Sequence, residues 1–405
     1  MSSTRQIKKV GNFTIKYDNS QVFSITINGK EIRSLIQEEM KVFNIKFNKF
    51  RPIISKIELP KGIHKLATDI FHLIKQLSNE EEMACLTAYL ATYFFDSFNN
   101  IWEGLLSKGY HVVTTKFYEA IIQLALDWES SPCGCHIHKG SPYFFLAYTY
   151  LMYGDIDKGF IYMYNAIEDD IYLNELCPSL NYPDNAPVYK TACLKDDRYN
   201  AMYPLVVEVR NSLKRFIERY NNQLGRNLNV ETIDQKFLTN KSLEEIKYYF
   251  VYTFWRLNEI YFKIRKELIR NDFSKLQCLN LFFNLCLVLD KLLQRNSKFG
   301  KDTLGENIQM LCGTKKWLSR DENKEFRKAI GWQSNDIDII ISKLLSKPKM
   351  PNGKGIVTEA QYLLIAWKLR NYGGHNITSQ SILVKEFDRL CDILMSCIFL
   401  AIEEI

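Results

Sequence analysis

Glycine and proline are scarce, 18 and 10 among 405 residues, which excludes a collagenous or low-complexity chain. No uncharged apolar run approaches the roughly 18–20 residues that span a bilayer; the stretch 393–402 stops near half that length. The polar and basic residues 1–9 lead into no apolar segment, so no secretory signal and no membrane partner are expected, and the chain reads as cytoplasmic. Gly-x-x-x-x-Gly-Lys-Ser/Thr is absent and no Gly-x-Gly-x-x-Gly follows a strand, which argues against a nucleotide hydrolase or a Rossmann dehydrogenase. Gly-x-Ser-x-Gly and His-Glu-x-x-His are missing too, removing common serine hydrolase and zinc protease readings. Cysteine is present ten times, at 85, 133, 135, 177, 193, 278, 286, 312, 391 and 397, without a tight framework. That spacing fits reduced, mostly buried thiols.

What is present is a globular composition, 46% hydrophobic and 13% aromatic with 23 Tyr and 25 Phe, in a chain long enough for one large or two medium cores. The formal charge of +7 is unevenly placed. Residues 241–405 hold 26 Lys and Arg against 19 Asp and Glu, so the whole excess sits there. A basic excess confined to one module fits a polyanionic partner, and a solvated surface would produce it equally well.

Residues 12–32 alternate apolar and polar side chains on either side of Asp18-Asn19-Ser20, predicting a β-hairpin, with a second turn at Asn28-Gly29. After Leu35, apolar residues recur at three- and four-residue steps over 63–77, 80–106, 115–128, 142–153, 156–169 and 203–222, predicting mostly short helices. In the stretch 142–170, Tyr143, Leu146, Ala147 and Tyr150 take bulky and small positions of a first helix, Gly154-Asp155 turns the chain, and Gly159 and Ala166 are the small residues of a second. This pair resembles a tetratricopeptide-type hairpin, although the closing proline is absent at Ile171. It fits a sensor or protein-binding surface, and it also fits ordinary helix packing.

The prolines at 178, 183 and 187 mark 177–200 as a long surface loop, and the polar stretch 221–240 marks a domain boundary. Beyond it come helical patterns over 243–271 and 273–295, a short element around Thr303-Leu304-Gly305, one over 335–345, a Pro- and Gly-rich loop over 347–355, and two last helices over 359–371 and 380–402. The expected class is mainly α: a small β-hairpin segment (1–35), a helical array with the tetratricopeptide-like pair (36–240) and a helical bundle (241–405).

Two constellations could carry chemistry. Cys133, Cys135, His136 and His138 offer four metal ligands within six residues, but one short loop seldom wraps a zinc ion and no second pair follows. A turn with incidental ligands is the simpler reading, and no metal or cofactor is expected. Ser141 and Pro142 just beyond look like an N-cap and a first helical residue.

The second constellation is Arg370-Asn371-Tyr372-Gly373-Gly374-His375. Arg370 shares a helix face with Leu363, Ala366 and Trp367, so its guanidinium needs an anionic or hydrogen-bonding partner. Gly373-Gly374 is expected to end the helix and fold His375 back towards Arg370. Arginine neutralises charge on phosphate oxygens and histidine titrates near neutrality, so the pair suits phosphodiester chemistry. An arginine at a helix end with an unrelated histidine satisfies the same spacing.

The Arg370 to His375 motif resembles that of the HEPN superfamily (higher eukaryote and prokaryote nucleotide-binding domains), where it closes one helix of an all-helical bundle and precedes a long last helix. The layout of 289–308 is similar as well, and the resemblance covers about the last 165 residues. It implies a metal-independent endoribonuclease of the kind found among toxins, abortive-infection and other antiviral defence effectors. Arg370 would bind the scissile phosphate, Asn371 would orient Arg370 or His375, and His375 would act as general acid/base. Two motifs paired across a homodimer, RNA as substrate, and a regulatory protein or ligand acting through the N-terminal helices follow from the same resemblance. The alternative is a non-catalytic protein whose bundle dimerises and whose array binds a partner.

Overall fold

The computed structural model describes residues 5–18, 21–32, 34–39, 109–130, 136–176, 183–265, 272–296, 300–346, 355–375 and 381–405, with short pieces at 41, 61–62, 65–66, 68–69, 76, 103–104, 106–107, 178, 349 and 353. The fold is mainly α, with one small antiparallel sheet. The helices expected over 63–77 and 80–106 lie almost wholly outside the described residues, as do Cys133 and Cys135. Two compact units divide the chain: Met1–Thr191 with Asn200–Met202, and Ala192–Tyr199 with Tyr203–Ile405.

In the first unit, strands β1 (Arg5–Val10), β2 (Phe13–Asp18), β3 (Gln21–Ile27) and β4 (Lys30–Glu31) pair in sequence order. Alternation puts Phe13, Ile15, Ile25 and Ile27 inside. Asn28 and Gly29 both take positive φ, 50° and 78°, which is what a two-residue hairpin turn requires. β1 extends the sheet beyond the expected hairpin. Its Ile7 is 65% exposed, so the strand is held by backbone pairing with β2 and has no buried face to announce it in the sequence.

Helices of this unit include α1 (His111–Glu129), α2 (Gly140–Met152), α3 (Ile156–Leu176) and, at its end, α4 (Pro187–Ala192). Gly154, at φ 81°, turns α2 into α3. Gly159 lies against α2, where a Cβ would stand 2.6 Å from Leu151 Cγ. The segment expected as a surface loop over 177–200 holds α4 and buries Ala186, Val188, Ala192, Cys193 and Leu194. Pro187 starts this short helix, where its missing N–H costs nothing.

The second unit runs α5 (Tyr203–Leu224), α6 (Val230–Ile233) continuing into a π-helical turn at Asp234–Leu238, α7 (Glu244–Arg265), α8 (Asp272–Arg295), α9 (Leu304–Thr314), α10 (Arg320–Ala329), α11 (Ile337–Leu345), α12 (Thr358–His375), α13 (Ser381–Lys385) and α14 (Phe387–Glu404). The polar stretch 221–240 lies inside this unit, because Leu228, Val230, Ile233, Phe237 and Leu238 between its polar residues are buried. α5 belongs here as well: Arg219 pairs with Asp392 at 2.6 Å, Arg226 with Glu359 at 3.0 Å, and the Tyr220 hydroxyl donates to Glu403 at 2.7 Å.

α8 is the centre of the unit, in contact with α7, α9, α12, α13 and α14. Its Ser274–Arg295 portion is long and apolar enough, with its few charges, to cross a membrane by length and composition alone, yet most of it is buried here, and a helix packed against neighbours over most of its surface is apolar over most of its surface. Each leucine fully buried there contributes about 1.5–3 kcal/mol. The last helix breaks at Glu386 into α13 and α14. α14 is buried on nearly every face within one chain, as is Leu363–Ala366 of α12, so the apolar stripes of these helices have intramolecular cover.

α10 has almost no apolar signal, only Phe326 among charged residues. Its start is set by a capping box, in which Ser319 and Glu322 exchange hydrogen bonds with each other's backbone N–H. α9 offers a paired test of packing. A Cβ at Gly305 would stand 2.3 Å from Trp367 Cζ2, whereas nothing lies within 4 Å of one at Gly313. Gly305→Ala is expected to cost about 1–3 kcal/mol by overpacking and Gly313→Ala to add about 0.5–1 kcal/mol through the helix backbone; urea melts of the two variants give opposite shifts.

Candidate functional site

α12 does not stop at the glycines. It runs through Gly373 and Gly374 to His375, and Gly373 is not among the residues with positive φ. The glycine is there for approach: a Cβ at 373 would stand 2.8 Å from Cδ2 and 3.0 Å from Cβ of Phe283 on α8. The expected fold-back of His375 is therefore corrected. On a continuous helix, position 375 lies about 140° around the axis from position 370, at about 100° per residue. Of His375 the structure describes the backbone alone.

The same Phe283 ring carries Arg370, whose guanidinium carbon lies 4.6 Å from the ring centroid. Arg370 Nε is 4.0 Å from Asp290 Oδ2, too far for a hydrogen bond, and is buried without an acceptor. The side chain as a whole is 29% exposed, so the guanidinium is seated on one side and open on the other. Asp290 belongs to the seat: Gln294 Nε2 approaches its Oδ1 at 3.4 Å. Burial raises the Asp290 pKa, and Arg370 offsets only part of that rise. Asn371, next along the helix, is exposed. Phe283 and Asp290 are functional neighbours that motif reading missed. The available signal was a lone carboxylate in the apolar run Leu287-Val288-Leu289-Asp290, seven residues and two turns beyond Phe283.

The histidines of the Cys-His cluster take part in an ionic group in the first unit. His136 Nδ1 lies 3.1 Å from Glu129 Oε1, and its Nε2 lies 2.9 Å from Asp169 Oδ1, off the hydrogen-bond direction. His138 Nε2 meets Asp170 Oδ1 at 2.7 Å. Lys139 Nζ donates to Glu129 at 2.5 Å and to the Ile137 carbonyl at 2.7 Å. The Lys139 backbone N–H donates to Asp169, so Lys139, not Ser141, occupies the N-cap position of α2. An aspartate from α3 serves the helix start that the sequence assigned to a local hydroxyl. Among the described residues, no three His, Cys, Asp or Glu side chains are arranged to hold a metal ion.

A cavity of about 240 Å³ opens beside α1 and the α2–α3 pair, lined among others by His111, Lys116, Glu119, Tyr150, Tyr153 and Lys158. His111 stacks on Tyr153 at 4.0 Å, and the Tyr150 hydroxyl donates to Glu119 at 2.9 Å. No family model, no curated protein and no solved structure matches the chain.

The ionic group makes a pH prediction. Burial alone would lower the His136 pKa, but Asp169 and Glu129 outweigh it and push it up to about 9. A raised pKa contributes stability in full below the unfolded value near 6.5 and loses it as pH rises through about 9. Burial would raise Glu129, yet His136 and Lys139 hold it down to about 2, so its contribution is lost as pH falls from the usual carboxylate range towards 2. Thermal melts of wild type and His136→Gln are expected to differ most at pH 6 and to converge near pH 10.

Proposed function

We propose that the second unit is a metal-independent endoribonuclease that cuts single-stranded RNA through Arg370, Asn371 and His375. The observation that carries this reading is the seating of Arg370, a part-exposed guanidinium stacked on Phe283 and hydrogen-bonded to no carboxylate among the described residues. Such a group is suited to a phosphate oxygen, and charge building on that oxygen in the transition state strengthens the contact. Asn371 stands exposed beside it. The roles follow the resemblance of the motif: Arg370 holds the scissile phosphate, and Asn371 orients Arg370 or His375. His375 takes the proton of the ribose 2′-hydroxyl as its oxygen attacks phosphorus, or gives one to the departing 5′-oxygen. The products are a 2′,3′-cyclic phosphate and a 5′-hydroxyl end.

Five positions of continuous helix separate Arg370 from His375, and this supports a site assembled from two copies of the motif in a homodimer. The dimer rests on that chemistry alone, because the apolar faces of α12 and α14 are covered within one chain. A nuclease of this kind serves as a toxin or anti-phage defence effector and needs restraint. The cavity beside the α2–α3 pair supports control by a ligand or protein on the first unit. The second reading, a non-catalytic interaction protein, is favoured by Asp290, which gives Arg370 an internal counter-charge at 4.0 Å.

Purified protein is expected to cleave labelled single-stranded RNA in EDTA and to leave cyclic phosphate ends. His375→Ala is expected to lower the rate by about 10²–10⁴ with little change in melting temperature. Cleavage that stops in EDTA and returns with a divalent ion contradicts the mechanism, and full activity in His375→Ala contradicts the site.

A further inference from the structure

The basic residues of α10 cluster on one flank. Arg320, Lys324, Arg327 and Lys328 recur at steps of four, three and one residues and share one side of the helix. Glu325 and Glu322 lie further round the helix, Asp321 borders the basic flank beside Lys328, and Asn323 and Phe326 are buried. Glu322 is committed to the capping box. Arg320, Lys324 and Lys328 are exposed, and none of them has an ion pair or side-chain hydrogen bond among the described residues.

Several other cations of the unit are occupied. Arg210 pairs with Asp234, Arg219 with Asp392, Arg226 with Glu359 and Lys315 with Glu404, while Lys368 donates to the Trp332 and Ser334 carbonyls. Arg327 is the inner member of the basic flank. Its guanidinium carbon lies 4.5 Å from the Trp367 ring, and its Nε is buried without an acceptor. Trp367 stands on α12 three residues before Arg370, about 4.5 Å along the axis.

We propose that this basic flank of α10 binds the phosphate backbone of single-stranded RNA, as a second contact for the strand whose scissile phosphate lies at Arg370. This rests on the nuclease reading for the identity of the polyanion and on the clustering of exposed cations for the surface. Arg320, Lys324 and Lys328 are one turn apart, about 6 Å at each step, the scale of successive phosphates along an extended strand. They neutralise backbone charge without reading bases, so the contact is sequence-independent and sensitive to salt.

The test is fluorescence anisotropy of a labelled oligouridylate with the full chain, in a His375→Ala background that prevents cutting. Arg320→Ser/Lys324→Ser/Lys328→Ser is expected to weaken binding at least about tenfold and to flatten the log–log salt slope by about 2, three phosphates at about 0.7 each. Lys214→Ser/Arg215→Ser, equally exposed on α5, is expected to change neither. A triple variant that stays folded by circular dichroism and binds with unchanged affinity and slope overturns the proposal, as does wild type that binds no RNA. Competition by polyglutamate as effective as that by RNA of equal charge also overturns it, in favour of an acidic protein partner. Binding through α10 without any cleavage by wild type retains this surface and removes the nuclease reading. Cleavage with α10-independent binding does the reverse.

Discussion

The packing of Phe283 against Gly373 fixes the candidate site. α8 is apolar over most of its surface and is stable only when that surface is enclosed, so α7, α12 and α14 must close upon it. Closure at this point requires that position 373 carry no side chain. Once the ring is in place it is also the floor on which the Arg370 guanidinium rests, and Asp290, two turns further along α8, becomes its nearest charge. A group that would be costly to bury unpaired is therefore held at the edge, with one side on an aromatic face and the other in solvent.

The first unit solves the opposite problem. Asp169 and Asp170 are 7% and 3% exposed on α3, a burial carboxylates accept only with partners. His136, His138, Lys139 and the backbone N–H at the start of α2 supply them. Four residues that look like metal ligands in sequence thus separate into two cysteines outside the described residues and two histidines engaged by carboxylates. His136 is held protonated in this setting, which makes it a structural cation and a poor proton acceptor near neutral pH.

Elements with one buried face were legible in the sequence and others were not. The alternation of Phe13, Ile15, Ile25 and Ile27 announced β2 and β3, and the apolar spacing of α2, α3, α5, α8 and α14 announced those helices. β1 buries no face, and α10 has one buried hydrophobe, so periodicity carried no signal for either. The polar stretch 221–240 misled because its buried residues are interleaved with capping asparagines: Asn229 accepts from Thr232 and Asn240 from Ser242. At the site, Arg370 was found from its face and its motif. The glycines after it were misassigned because glycine serves both left-handed turns and close approaches, and a sequence does not say which. Asp290 and Phe283 became site residues only through a contact between helices distant in the chain.

Whether Arg370 is a presented anion-binding group or a packed structural arginine decides the account. The direct measurement is of the Arg370 Nη–H resonances, assigned in ¹⁵N-labelled protein through their loss in Arg370→Lys, during titration with a 2′-O-methyl RNA dinucleotide that cannot be cut. A presented guanidinium gives a saturable shift and slower solvent exchange of those protons as a phosphate binds. Resonances that stay unmoved while the dinucleotide saturates the protein would contradict the account.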